Sequence, residues 1–305
     1  MPMENFLSVA DLSPTEIENL IQKASAMKSG PPMRILDGKT IAIILEHPSL
    51  RTRASFEVGI RQLGGDCFYL GPSEIGLGVR EPVKDIARVL DRWVDGIVAR
   101  IPSPENLNLL ANYTSVPVIN GMTDLEHPCQ IMGDLLTIYE TKGFMNNLRI
   151  AYVGDGNNVA GSLALGCSSI GADFIMASPP DYRIPFNIWE KATQRATETN
   201  ARIEWVEIPS QAVQNADVVY TDVWISMGQE GERETRLNAF QEYQVNEDLM
   251  AKAKSDAIFM HDMPCHPGEE ISEAMLDHPQ SVVFDQAENR LHAQKAILAE
   301  LFNPN

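Results

Sequence analysis

The sequence predicts an α/β fold: two open parallel-sheet α/β domains of similar size, linked by helices. Three observations predict it. Short apolar runs alternate with stretches of helical spacing, which is the signature of strand–helix–strand units. The alternation pauses near residue 147 and then starts again. The length of 305 residues also suits two domains of roughly 150 residues each.

Each element has a local reason. Leu12-Ser13-Pro14-Thr15-Glu16 starts a helix: Ser13 caps it, Pro14 fits the first turn, and Glu16 closes a capping box. The helix runs to about Lys28, and Ser29-Gly30-Pro31-Pro32 stops it. Lys39–Leu45 is an unbroken apolar run after Gly38 and reads as a buried strand. A helix is expected over Arg51–Leu63, a strand over Cys67–Leu70, a Gly- and Pro-rich loop over 71–82 and a helix over Val83–Trp93. Gly96–Arg100 and Val116–Asn120 read as strands, and 128–143 as a helix joining the halves. The second cycle brings strands at Leu148–Val153, Asp173–Met176, Asp217–Thr221 and Ala257–Met260, with a small-residue helix over Val159–Ile170. Gln286–Phe302 closes the chain as an amphipathic helix expected to pack back on the first half. The expected domains are therefore 1–147 plus 286–305, and 148–285.

Lys and Arg total 24 against 42 Asp and Glu, a net charge of −18. Such a surface repels nucleic acid and anionic lipid, so neither is an expected partner. Cys67, Cys129, Cys167 and Cys265 form no paired motif and read as reduced thiols of a cytoplasmic protein. Met1–Phe6 has no basic region followed by an apolar one, and no apolar stretch is long enough for a membrane span.

In open α/β sheets, ligands sit beyond the carboxyl ends of the strands. After the first strand come Ser49-Leu50-Arg51-Thr52-Arg53, two hydroxyls and two guanidiniums at a helix entry. This suits an anion such as phosphate, although a capped helix with surface arginines reads the same way. Arg100 ends a later strand. His127 precedes a helix-opening proline, where it either donates to a carbonyl oxygen or merely caps. Cys129 beside it reads better as an inert buried thiol than as a nucleophile. Gly154-Asp155-Gly156-Asn157-Asn158-Val159 is an incomplete dinucleotide fingerprint, so an oxidoreductase is a weak alternative. Asp222 opens a polar excursion, Val223–Glu230 with a Gly228 hinge, that reads as a lid or a solvent loop. His261-Asp262-Met263-Pro264-Cys265-His266 holds several metal-ligand types at no standard zinc spacing.

Together, Ser49–Arg53, Ala99-Arg100, His127-Pro128-Cys129-Gln130, Gly154–Asn158, Asp222 with Ser226-Met227-Gly228, and Ala287–Arg290 resemble the ornithine branch of the aspartate/ornithine carbamoyltransferase family, in the family's order and over nearly the whole chain. The resemblance implies transfer of the carbamoyl group of carbamoyl phosphate to the δ-amine of L-ornithine, giving L-citrulline, by direct attack without a covalent enzyme intermediate. Another amine acceptor such as lysine is the alternative. It implies a carbamoyl-phosphate set of Ser49, Leu50, Arg51, Thr52, Arg100, His127, Gln130, Asp262, Met263 and Arg290. It implies an ornithine set of Asn158, Asp222, Ser226 and Met227. Arg100, His127, Thr52, Asp222 and Asp262 would be catalytic. No metal or organic cofactor is implied. The implied assembly is a homotrimer or a multiple of trimers, and the implied setting is arginine metabolism, whose synthesis and breakdown share this chemistry.

Two departures stand out. The family commonly reads His-Cys-Leu-Pro where this chain has His261-Asp262-Met263-Pro264. Asp262 either pairs with Asp222 around the acceptor ammonium or faces solvent. The loop at 73–80 also lacks the Gln or His by which the family reaches a neighbouring subunit, and Gly76 occupies the place.

Overall fold

The computed structural model describes residues Met3–Phe302. The chain divides into two compact units, Met1–Leu136 with Glu288–Asn305, and Thr137–Ala287.

The first unit opens with α1 (Pro14–Ser29), whose Ser13–Glu16 capping box forms as its sequence requires. Its strands are β1 (Thr40–Leu45), β2 (Asp66–Leu70), β3 (Gly96–Arg100) and β4 (Val118–Met122). Between them lie α2 (Leu50–Gln62), α3 (Pro72–Ile75), α4 (Val83–Leu90) and α5 (Pro104–Asn112), and α6 (Pro128–Lys142) follows β4. The sheet is parallel throughout, in the order β2-β1-β3-β4. β1 is central and buried from Ile41 to Leu45, as an unbroken apolar run in a two-faced sheet must be. The chain steps from β1 outward to β2, then returns to β3 on the other side of β1. The strand order thus reverses between β1 and β3.

The second unit holds β5 (Arg149–Val153), α7 (Asn158–Ser169), β6 (Asp173–Ala177), α8 (Phe186–Thr199), β7 (Ile203–Val206), α9 (Pro209–Val213), β8 (Val218–Thr221), α10 (Arg233–Phe240), α11 (Glu247–Met250) and β9 (Ile258–His261). Its sheet is also parallel, in the order β7-β6-β5-β8-β9. Here the order reverses between β5 and β8. A cluster of Phe240, Tyr243, Trp224 and Phe259 with aliphatic neighbours packs on this sheet. The closing helix α12 (Val283–Phe302) contributes its length from Glu288 onward to the first unit, so the last helix returns to the first half as expected.

Several elements lie outside the sequence expectations. The expected strand at 116–120 is shifted to Val118–Met122. Pro117 has no N–H and takes part only through its carbonyl, which accepts from Ile97 N at 2.9 Å. The loop at 71–82 contains the single turn α3. β7 is half-buried and carries Glu204 and Trp205, so it lacks an apolar run. α8 buries only Ile188, Ala192 and Ala196, a stripe with one large side chain. No described helix is long and apolar enough to cross a membrane.

Candidate active site

The first subsite forms where the strand order of the first unit reverses. α2 begins just past the end of β1, and Ser49 caps it by accepting from Thr52 N at 3.3 Å. The first N–H groups of this helix point out of that end, and its dipole favours an anion there. Thr52 is fully buried. Its Oγ1 accepts from Arg100 Nη1 at 3.0 Å and from Arg290 Nη2 at 2.6 Å, and Ser49 Oγ lies 3.1 Å away. Arg100 arrives from the end of β3 and Arg290 from α12. Two guanidiniums therefore converge on one buried hydroxyl beside a helix N-terminus.

His127 immediately precedes α6 and is buried. Burial, Arg290 and Arg100 hold its ring well below the ordinary histidine range, so it is neutral near pH 7. Gln130 Nε2 donates to Asp134 Oδ1 at 2.8 Å, one turn on, which fixes the amide. Its Oε1 is buried with no hydrogen-bond partner among the described residues. Leu50 is exposed and Arg51 half-buried. Arg53 is turned away from this group: it pairs with Glu57 at 2.8 Å and lies over the Tyr69 ring at 4.2 Å. Cys129 is buried and its thiol is pushed up to about 12 by burial, which removes it as a nucleophile.

The second subsite occupies the corresponding switch point of the second unit. Asn157 caps α7, accepting from Val159 N and Ala160 N at 3.0 and 3.1 Å. Its Nδ2 donates to Asp222 Oδ2 at 2.7 Å. Asp222 follows β8, is buried, and is pushed up to about 7 by burial and then by Asp262. Asn158, named from sequence, is half-buried one residue beyond the cap. Gly156 is required by packing, since a Cβ there would meet Arg183 C and Ile184 N at 2.2 Å.

The excursion after Asp222 is tied down by a pair that sequence reasoning missed. Arg236 Nη1 donates to Asp155 Oδ2 and to Trp224 O, each at 3.0 Å. Nothing in the spacing of Asp155 and Arg236 signals their contact. Ser226 is half-buried with its N–H on Gln229 Oε1 at 2.9 Å, and Met227 is 49% exposed. Met227 is thus available to a ligand and not to the core.

The segment after β9, with Asp262 and Met263, belongs to the second unit. Met263 adopts φ +61°, and its N–H donates to His261 Nδ1 at 2.8 Å. His261 Nε2 faces Glu270 Oε1 at 3.1 Å. Asp262 is half-buried with Oδ1 fully buried. His261, Cys265 and Glu270 bring ligand-type atoms within 4.8 Å of one another, but both ring nitrogens of His261 are engaged inside the protein.

The family model described as "Aspartate/ornithine carbamoyltransferase, carbamoyl-P binding domain" matches residues 4–140. That described as "Aspartate/ornithine carbamoyltransferase, Asp/Orn binding domain" matches residues 146–301. An ornithine carbamoyltransferase of Thermococcus kodakarensis is 50% identical over 297 residues, covering 96% of this chain and 94% of that protein. The structure of the Pyrococcus furiosus ornithine carbamoyltransferase superposes with a TM-score of 0.95 at 45% identity, covering 99% of this chain and 98% of that one. An acetylornithine transcarbamylase complexed with acetylcitrulline superposes with a TM-score of 0.89 at 31% identity, covering 98% and 99% of the two chains. The fold is therefore shared by enzymes named for different acceptors.

Proposed function

The chain belongs to the aspartate/ornithine carbamoyltransferase family, and we infer that it transfers the carbamoyl group of carbamoyl phosphate to the δ-amine of L-ornithine, giving L-citrulline and phosphate. The observation that carries this reading is the convergence of Arg100 and Arg290 on buried Thr52 at the switch point of the first unit. A dianion with a planar amide end suits two guanidiniums, a helix N-terminus and a neutral imidazole.

The chemistry follows from the substrate. Phosphate departs readily from carbamoyl phosphate, so direct attack by an amine needs neither a covalent enzyme intermediate nor a metal or organic cofactor. Ser49, Leu50, Arg51 and Thr52 hold the phosphate through the start of α2, aided by Arg100 and Arg290. Arg100, His127 and Thr52 face the oxyanion that develops at the carbonyl. One such donor is typically worth about 3–4 kcal/mol of barrier. Gln130 and the backbone turn at Asp262 and Met263 hold the carbamoyl nitrogen. Asn158, Asp222, Ser226 and Met227 hold ornithine, and Asp222 takes its excess proton. Positioning the two reactants adds at most roughly 7–11 kcal/mol. Family membership supports a homotrimer, or a multiple of trimers, in the cytoplasm. Sedimentation of the purified protein tests the assembly.

The Ser226-Met227-Gly228 loop favours ornithine, and Asp262 keeps lysine as the alternative acceptor. Phosphate release is measured with carbamoyl phosphate and ornithine, lysine, putrescine or N-acetylornithine. Ornithine is expected to give the highest kcat/KM by at least tenfold; a higher value for lysine overturns the acceptor.

A further inference from the structure

β8 and β9 run parallel, with Thr221 paired to His261. The next residues, Asp222 and Asp262, leave the sheet side by side, where neighbouring strands lie about 4.8 Å apart. Asp222 is buried, and so is Oδ1 of Asp262. We infer that Asp222 and Asp262 act as one acid–base unit that takes up a single proton, accepted from the δ-ammonium of the acceptor. This rests on the reaction proposed above.

The surroundings favour a shared proton. Neighbouring carboxylates disfavour each other's charge, and Asp222 is pushed up to about 7 by burial and then by Asp262. From the start of α7, Asn157 donates to Asp222, and from β9 His261 lies beside it; both oppose the rise without cancelling it. From β5, the Tyr152 hydroxyl is held well above its ordinary range by burial first, and then by Asp222, Asp155, Asp262 and Glu270. Asp155 is answered by Arg236, and Glu270 faces His261. A cysteine in place of Asp262, the usual family residue, would add no comparable charge.

The step balances. The doubly ionised pair takes a proton from the ammonium. The freed nitrogen bonds to the carbonyl carbon, the carbon–oxygen bond to phosphate breaks, and its electron pair leaves with the phosphate. That phosphate takes the second nitrogen proton and departs as hydrogen phosphate. The pair then gives its proton to solvent. Below about pH 7 the pair already holds its proton and the step slows.

The test compares the full-length protein with Asp262→Asn and Asp262→Cys. The ratio of variant to wild-type kcat/KM for ornithine cancels the ionisation of ornithine itself. That ratio is expected to be flat above pH 8 and to rise about fivefold by pH 6, because Asp222 ionises earlier without its neighbour. A flat ratio from pH 6 to 8 in both variants overturns the inference. Carboxyl ¹³C titration of the substrate-free protein reads the same pair without turnover: the step near 7 is expected to move to lower pH in Asp262→Asn, and an unmoved step overturns the inference. Absence of citrulline formation by wild type at pH 8 would instead count against the proposed reaction.

Discussion

Arg290 Nη2 donates to Thr52 Oγ1 at 2.6 Å, a contact between residues 238 apart in the chain. It ties the closing helix to the start of α2, because Thr52 sits in the first turn of α2 and also receives Arg100.

Arg290→Ala leaves Arg100 as the one guanidinium on Thr52 among the described residues. Losing a buried charged donor typically costs about 2–5 kcal/mol. The kcat/KM for carbamoyl phosphate is expected to fall about 10²–10³-fold in initial-rate assays, with a smaller change in the KM for ornithine. A value within threefold of wild type would remove Arg290 from the site.

Gly133 on α6 sets how closely α12 approaches. A Cβ at Gly133 would stand 2.9 Å from Arg290 Cα and 3.0 Å from its N, and backbone cannot yield as a side-chain tip can. Gly133→Ala is expected to cost about 1–3 kcal/mol of stability and to raise the KM for carbamoyl phosphate as Arg290 is pushed off Thr52. Gly231→Ala, where a Cβ meets nothing within 4 Å, serves as the control. Urea unfolding and steady-state rates read both effects.

His127 is neutral in the folded protein because burial, Arg290 and Arg100 disfavour its charge. His127→Ala is expected to lower kcat about 10²–10³-fold, the loss typical of an oxyanion donor. The same shift makes a stability prediction. Below about pH 6.5 the unfolded chain protonates this ring and the folded chain does not, so stability is lost as pH falls. At pH 5.5 that loss is about 1 kcal/mol, and His127→Asn is expected to abolish it. Equal pH dependence of urea midpoints in the two proteins would refute the neutral ring.

Arg236 is the charge that Asp155 is buried against. Burial pushes Asp155 up to about 6 even with Arg236 present. Arg236→Ala at pH 8 strands a buried carboxylate, at a cost of about 3–5 kcal/mol. At pH 5 Asp155 takes up a proton instead, so the cost shrinks. Trp224, whose carbonyl is also held by Arg236, reports the loosened segment by its fluorescence.

Much of this architecture is legible in the sequence, for identifiable reasons. Ile41–Leu45 and Ile150–Val153 are buried throughout, and unbroken apolar runs betray such strands. Ser49, Arg100 and Asp222 can be found because they lie at or just past the ends of such strands, β1, β3 and β8. β7 escapes because an edge strand does not need to be apolar, and α8 because alanines carry its buried face. Long-range pairings are not legible: nothing local joins Thr52 to Arg290, or Asp155 to Arg236. Arg53 shows the limit of reading a charged run as a unit. It lies one residue beyond Thr52, about 100° around the helix, and that turn delivers it to Glu57 and Tyr69.

The return of α12 to the first unit also sets an order in time. Synthesis proceeds at roughly 5–20 residues per second, so Arg290 is joined to the chain about 10–50 s after Thr52. For most of that interval the growing chain contains Thr52 and Arg100 but lacks Arg290. The residues of the second unit are joined before those from Glu288 onward, so the first unit gathers its last helix only after the whole of the second has been made.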